Sequence, residues 1–247
     1  MKSKTIVIDS NCYLGNWPTR RLRHNGAESL RRLARENGVQ KCLVSSLEAI
    51  FHRDRTAANR ALEVEISGMD DMIPVPIVNP ASPIDGGASG RLFRLVPCYH
   101  RYSLSKEPGL QLLEDAERRD ATVFVSLRMR DSRLSHPLIG ARPAEIQPII
   151  DSASSFPGLR LIINNAKARE IEQILSATDN TYLGCEWSLP IGFVKSVVES
   201  YGDGRLVFGS NAPLHYYQCS LLQILEADIP PRSREMILGG NMASISG

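Results

Sequence analysis

Short β-branched runs alternate with helical patterns along the chain, and their regular spacing narrows the fold sharply. Strands are expected at Thr5 to Asp9, Lys41 to Ser45, Met72 to Val78, Arg91 to Val96, Thr122 to Leu127, Leu159 to Asn164, Thr181 to Glu186 and Arg205 to Gly209. Their starts fall on average about 29 residues apart, the length of one βα unit. Eight such units in 247 residues match a closed (β/α)8 barrel, the TIM barrel, better than an open doubly wound sheet. The helices between them are expected at Glu28 to Glu36, Arg55 to Ser67, Gly109 to Arg119, Pro143 to Ser154, Ala168 to Ala177, Gly192 to Tyr201 and Tyr216 to Glu226. The stretch Pro80 to Gly90 (PASPIDGGASG) is too short and too rich in Gly and Pro for a full helix, so that unit is expected to be degenerate. With no linker, low-complexity tract or further repeat, residues 1–247 read as a single α/β domain.

Composition limits what such a barrel can partner. The 29 Lys+Arg against 27 Asp+Glu, with 43% hydrophobic residues, describe an ordinary soluble globular protein. The charge is uneven, since residues 1–60 hold 12 Lys+Arg and 5 Asp+Glu and the remainder 17 and 22. Part of that excess is the helix face of Arg31, Arg32 and Arg35; the rest, Arg20, Arg21 and Arg23, reads as surface charge or as an anion contact. A basic stretch without interleaved aromatics is a weak footprint for nucleic acid, which is not expected as a partner. No window approaches the roughly 18 apolar residues of a membrane helix. The only apolar run near the start, Thr5 to Ile8, is too short for a secretory leader. Cys12, Cys42, Cys98, Cys185 and Cys219 are scattered without a CxxC pair and read as reduced thiols, so the cytoplasm is the expected location.

In a (β/α)8 barrel the active site lies at the C-terminal ends of the strands. Those ends are polar here: Asp9, Asn11 and Tyr13 after strand one, Cys98, His100 and Tyr102 after four, Ser126 and Arg128 after five, Asn164 and Asn165 after six, Cys185 and Glu186 after seven, Asn211 and His215 after eight. Strand alternation places Val7, Asp9 and Asn11 on one face, Phe124, Ser126 and Arg128 on one, and Val207, Gly209 and Asn211 on one. Each residue alone can be a solvated loop end; together they are expected to converge on one mouth.

These stretches resemble the amidohydrolase-related branch of the metal-dependent hydrolase superfamily. Ile8-Asp9-Ser10-Asn11-Cys12-Tyr13-Leu14-Gly15 matches the family's aspartate-led HxH motif, and Gly209-Ser210-Asn211-Ala212-Pro213 its GSDxP element. Pro157 to Asn165 is similar to the run that ends in a histidine, and Ile237-Leu238-Gly239-Gly240-Asn241 to the terminal GGN step. The resemblance covers essentially the whole chain and implies a TIM barrel with hydrolase or lyase ancestry. It also implies which positions held metal, and all of them have changed: the HxH pair is Asn11 and Tyr13, the next two histidines are Ser126 and Asn165, and the final aspartate is Asn211. Neutral amide, phenol and alcohol groups hold zinc or manganese poorly, so no metal and no other cofactor is expected. No P-loop or GxGxxG calls for a nucleotide.

The remaining groups leave two readings. In the first, the chain is a metal-independent hydrolase or lyase acting on a small carboxylated substrate. His100 and Glu186 are then the catalytic acid and base, while Asn11, Tyr13, Arg128, Asn165 and Asn211 bind the substrate. His100 can equally be a structural histidine and Glu186 the partner of an arginine. Arg94 and Arg128 lie on strands where an unpaired charge is costly, so either suits a bidentate clamp for an anion. Cys98 or Cys185 as a nucleophile, or a substitute metal site from Cys98, His100, Cys185 and Glu186, are minor variants. In the second reading the barrel is non-catalytic and serves as a small-molecule binder or regulatory partner, with self-association left open; a plugged mouth would favour it.

Overall fold

In a computed structural model that describes residues 6–82, 90–134, 136, 139–186 and 189–246, the strands pair in parallel and in sequence order. They are β1 (Ile8–Leu14), β2 (Lys41–Ser46), β3 (Met72–Pro74), β4 (Ile77–Val78), β5 (Leu92–Leu95), β6 (Thr122–Ser126), β7 (Arg160–Asn164), β8 (Thr181–Cys185) and β9 (Leu206–Phe208). The run expected as one strand, Met72 to Val78, is divided into β3 and β4, because Pro76 has no N–H to give to the ladder. Bonding continues across the break: the Val75 N–H donates to the Val44 carbonyl and the Arg94 N–H to the Pro76 carbonyl, both at 2.8 Å. β3 and β4 thus fill one barrel position. The ring closes beyond β9, where Tyr13 N–H donates to Ala212 O and Asn211 N–H to Asn11 O, each at 2.8 Å. The architecture is the (β/α)8 barrel read from the spacing.

The outer helices Ala27–Glu36, Arg55–Glu65, Gly109–Arg118, Gln147–Ser155, Ala168–Ala177, Phe193–Tyr201 and Tyr217–Leu225 fall close to their expected positions. Asp54 caps the second of these, accepting the Ala57 N–H at 3.0 Å. Two short helices at strand ends, Glu48–Phe51 and Pro97–His100, are additions that single-turn patterns do not announce. The degenerate connection expected at Pro80 to Gly90 lies mostly outside the described residues.

β1 corrects one expectation. Its pairing with β2 shifts register between Asp9 and Cys12, a bulge that breaks strict alternation. Val7 precedes the strand and packs on the outer core, whereas Ile8 enters the barrel. Asp9 takes the Asn11 and Ser210 N–H groups at 3.0 and 2.9 Å, while Asn11 and Tyr13 reach the interior. Asp9 and Asn11 therefore do not share a face.

The barrel interior is stratified. At the N-terminal end Ile8, Leu43, Phe124, Ile162 and Val207 pack with Met242 and Ile245 of the terminal helix Asn241–Ser246. At the C-terminal end Trp17, Leu47, Val96, Met129 and Leu214 pack with Phe51 and Tyr99. Trp17, Phe51 and Tyr99 meet edge to face with centroids 5.2, 5.9 and 5.5 Å apart. Between these apolar layers lies a polar one.

Candidate functional site

Arg94 is the centre of the polar layer. It stands between Phe93 and Leu95 on β5 and is 0% exposed, a position that requires full pairing of its guanidinium. Nε donates to Ser45 Oγ at 2.9 Å. Four oxygens surround Nη1: Asn11 Oδ1 and Tyr13 OH at 2.8 Å, Asn164 Oδ1 at 3.0 Å and Ser126 Oγ at 3.2 Å. The guanidinium also lies over the Tyr13 and Phe124 rings, 4.9 and 5.2 Å from their centroids.

The counter-charge is Glu186, which follows β8 and is 1% exposed. Its Oε1 accepts from Asn164 Nδ2 at 2.8 Å and Asn11 Nδ2 at 3.1 Å, and its Oε2 from the Asn165 N–H at 2.9 Å. Asn11 and Asn164 thus each turn a carbonyl to Arg94 and an amide to Glu186, bridging the two charges without their touching. Burial pushes the Glu186 carboxyl up to about 7 even though the amide donors and Arg94 pull it down. Two glycines make room for it. A Cβ on Gly184 would collide with the Glu186 carboxylate, and one on Gly209 would come 2.9 Å from Asn11 Cβ and 3.1 Å from Glu186 Oε1.

Asn165 and Asn211 complete the layer in left-handed conformations, φ 59° and 57°, which asparagine tolerates better than most residues. Asn165 Nδ2 donates to the Arg128 carbonyl at 2.8 Å and to Asn211 Oδ1 at 3.4 Å. Asn11, Tyr13, Ser126, Asn165, Glu186 and Asn211 are therefore brought together as one hydrogen-bonded neighbourhood.

Of the two other expected members, Arg128 borders the layer, its Nη1 donating to the Asn165 carbonyl at 2.5 Å, while His100 is held elsewhere. Arg128 grips Glu170 bidentately, with Nη1 at 2.7 Å from Oε2, and its guanidinium is thereby committed to the start of helix Ala168–Ala177. Burial raises the Glu170 carboxyl, but the Arg128 bonds outweigh it and leave the group below its ordinary value. Arg128 is a structural tie here rather than an open anion clamp. His100 Nε2 lies 3.1 Å from the Ile50 carbonyl and 3.5 Å from Arg55 Nε, between the loops after β2 and β5. Burial and the Arg55 charge lower it to about 4, so it is neutral near pH 7. Among the described residues no hydrogen bond links it to Glu186, Asn11 or Asn211. The expectation that His100 and Glu186 work together at one mouth is not met by their bonding, since the imidazole, at the end of the short helix Pro97–His100, is engaged at the Ile50 carbonyl.

Neither cysteine is poised as a nucleophile. Cys98 Sγ donates to the Ser126 carbonyl at 3.3 Å and burial pushes its thiol up to about 12, and burial raises Cys185 likewise. Among the described residues no three His, Cys, Asp or Glu side chains are grouped to hold a metal. The oxygens around Arg94 do not fit a zinc or manganese ion either, since they are amide, phenol and alcohol groups already directed at a guanidinium, and the carboxylate beside them, Glu186, is itself occupied by amide donors. Sequence reasoning missed the central role of Arg94, and with it Asn164 and Ser45; the signal was an arginine inside the apolar run RLFRLV.

No protein-family model matches the chain, and no curated protein does. Solved structures share its fold over almost the whole length. The 5-carboxyvanillate decarboxylase of Sphingomonas paucimobilis superposes with a TM-score of 0.71 at 11% identity, covering 98% of this chain and 99% of that one. The 2,6-dihydroxybenzoate decarboxylase from Rhizobium gives 0.71 at 11% identity over 98% of both chains. A probable 2-pyrone-4,6-dicarboxylic acid hydrolase from Acinetobacter baumannii, with citric acid bound, gives 0.66 at 10% identity over 97% and 98%. Other neighbours include a TIM-barrel protein from Bordetella bronchiseptica and an amidohydrolase from Mycobacterium avium subsp. paratuberculosis, with TM-scores of 0.66 and 0.63 at 14% and 12% identity. At such identities the likeness establishes the fold.

Proposed function

We propose that this chain is a metal-independent barrel of the amidohydrolase type that has given up catalysis and acts as a binder or regulatory partner. One observation carries the reading: the polar layer, where the resemblance puts the metal, is filled by the Arg94 guanidinium and sealed beneath the Trp17, Phe51 and Tyr99 plug. Arg94 supplies a fixed positive charge at the centre of four oxygens, so the layer is electrostatically complete without a metal ion. Asn11, Tyr13, Asn165 and Asn211, expected to bind substrate, instead bind one another and the two buried charges.

The test is elemental analysis of the purified protein, followed by thermal shift with added zinc and manganese. The expected result is far less than one metal per chain and no stabilisation; a retained stoichiometric metal would overturn metal independence. A second reading rests on Glu186, whose pKa near 7 suits a proton carrier for a metal-independent hydrolase or lyase like the fold neighbours in reaction class. Carbon dioxide release or ester cleavage from small aromatic acids and lactones, abolished by Glu186→Gln, would establish that reading and sink the non-catalytic one.

A further inference from the structure

A groove on the flank of the C-terminal face lies outside the polar layer. It runs between the segment after β5 and the segment after β6, which are joined by Arg142 N–H to Cys98 O at 3.2 Å, while Ala144 N–H to Leu127 O at 2.8 Å ties the second segment back to its own strand. Its volume is about 540 Å³, within the range of small-molecule pockets. Pro97, Leu104, Pro148 and Ile149 give it an apolar lining. Two guanidiniums border it. Arg101 donates only to the Gly140 carbonyl, and neither Arg101 nor Arg142 has a carboxylate in ion-pair reach among the described residues. Glu145 is the one acidic residue of the lining, so the groove carries a net positive charge.

We infer that this groove, and not the barrel mouth, is the ligand site, and that it takes a small organic acid with an apolar body and one carboxylate. The apolar lining gains from covering a hydrocarbon or ring, and a guanidinium at the rim offers a carboxylate two parallel N–H donors. A neutral molecule would leave both positive charges without a partner. The wall nearest the barrel is Cys98, whose thiol is held by the Ser126 carbonyl, so a ligand in the groove remains separated from Arg94 and Glu186. The inference extends the binder reading by giving it a place and a ligand class.

Titration calorimetry of the full chain with hexanoate and phenylacetate, and with the matching amides hexanamide and phenylacetamide, tests it. The acids are expected to bind at least tenfold more tightly than the amides. Arg142→Gln and Arg101→Gln, both exposed positions, are each expected to weaken the acids severalfold and together at least tenfold, while Arg35→Gln on the helix Ala27–Glu36, outside the groove lining, leaves them unchanged. Ala144→Trp, which fills the groove, is expected to abolish binding. No binding of either acid, equal binding of acids and amides, or acid affinity indifferent to both arginine variants would overturn the assignment. Those failures leave the metal content and turnover tests of the preceding reading untouched, so the two stand or fall separately.

Discussion

A guanidinium and a carboxylate enclosed in one barrel stabilise each other only while both remain, so Arg94 and Glu186 behave as a unit. Arg94→Met leaves Glu186 buried without its counter-charge and is expected to cost about 3–5 kcal/mol in urea denaturation. Arg94→Lys should fall between, because the ammonium keeps the charge but cannot reach Ser45 and the four oxygens around Nη1 together. The carboxyl also makes stability depend on pH. Its folded pKa of about 7 lies above the ordinary 4.5, so the folded state holds the proton more tightly than the unfolded state. That contribution is full below about pH 4.5 and is lost as pH rises through about 7, a change of roughly 3 kcal/mol. Wild type measured against Glu186→Gln should therefore gain relative stability between pH 8 and pH 5; a flat difference would show that the carboxyl titrates normally. At this scale the sequence marked Arg94 as a charge that needed a partner. Which partner it found was hidden, because Asn11 and Asn164 serve both charges at once and only coordinates show which way each amide points.

At the level of elements, the period of the strands was legible and their interruptions were not. Eight units followed from spacing alone, since a βα repeat has a characteristic length. The division at Pro76 was visible in principle, for proline inside a strand run always loses a ladder bond. The bulge between Asp9 and Cys12 was not, because a bulge depends on the partner strand's register and leaves no local signature. It cost the face assignment of Asp9, although Asn11 and Tyr13 still reached the interior. The turn 97–100 had the same effect on His100, turning a residue at a strand end toward Ile50. β8 and β9 carry the complementary lesson: their glycines, Gly184 and Gly209, look like strand weaknesses but create the space that Glu186 occupies. Gly184→Ala should accordingly destabilise by about 1–3 kcal/mol through overpacking. The loss should shrink when Glu186→Ala is added, because the colliding carboxylate is then absent; equal losses in both backgrounds would show that the glycine serves the strand and not the carboxylate.

For the molecule as a whole, the decisive property is closure at both ends, with the terminal helix Asn241–Ser246 under the barrel and the Trp17 cluster over it. The terminal GGN step was expected from the resemblance but its place under the barrel was not, and the plug arises from side chains distant in sequence, Trp17, Phe51, Tyr99 and Leu214, which was not legible either. Closure makes a prediction about hydrogen exchange. The amides of Asn11, Asn165 and Asn211 are bonded to Asp9, Glu186 and the Asn11 carbonyl inside the polar layer, so water reaches them only if an end opens. In the wild type they should exchange with an opening free energy equal to the global stability. Trp17→Ala removes the centre of the plug at about 3–5 kcal/mol, and these three amides should lose more protection than the β7 and β9 amides of the lower layer. Met242→Ala, at the opposite end, should reverse that order. Rapid exchange of the three amides in the wild type would mean that the mouth opens in the native state, and Glu186 would then be accessible to substrate, as the catalytic reading requires.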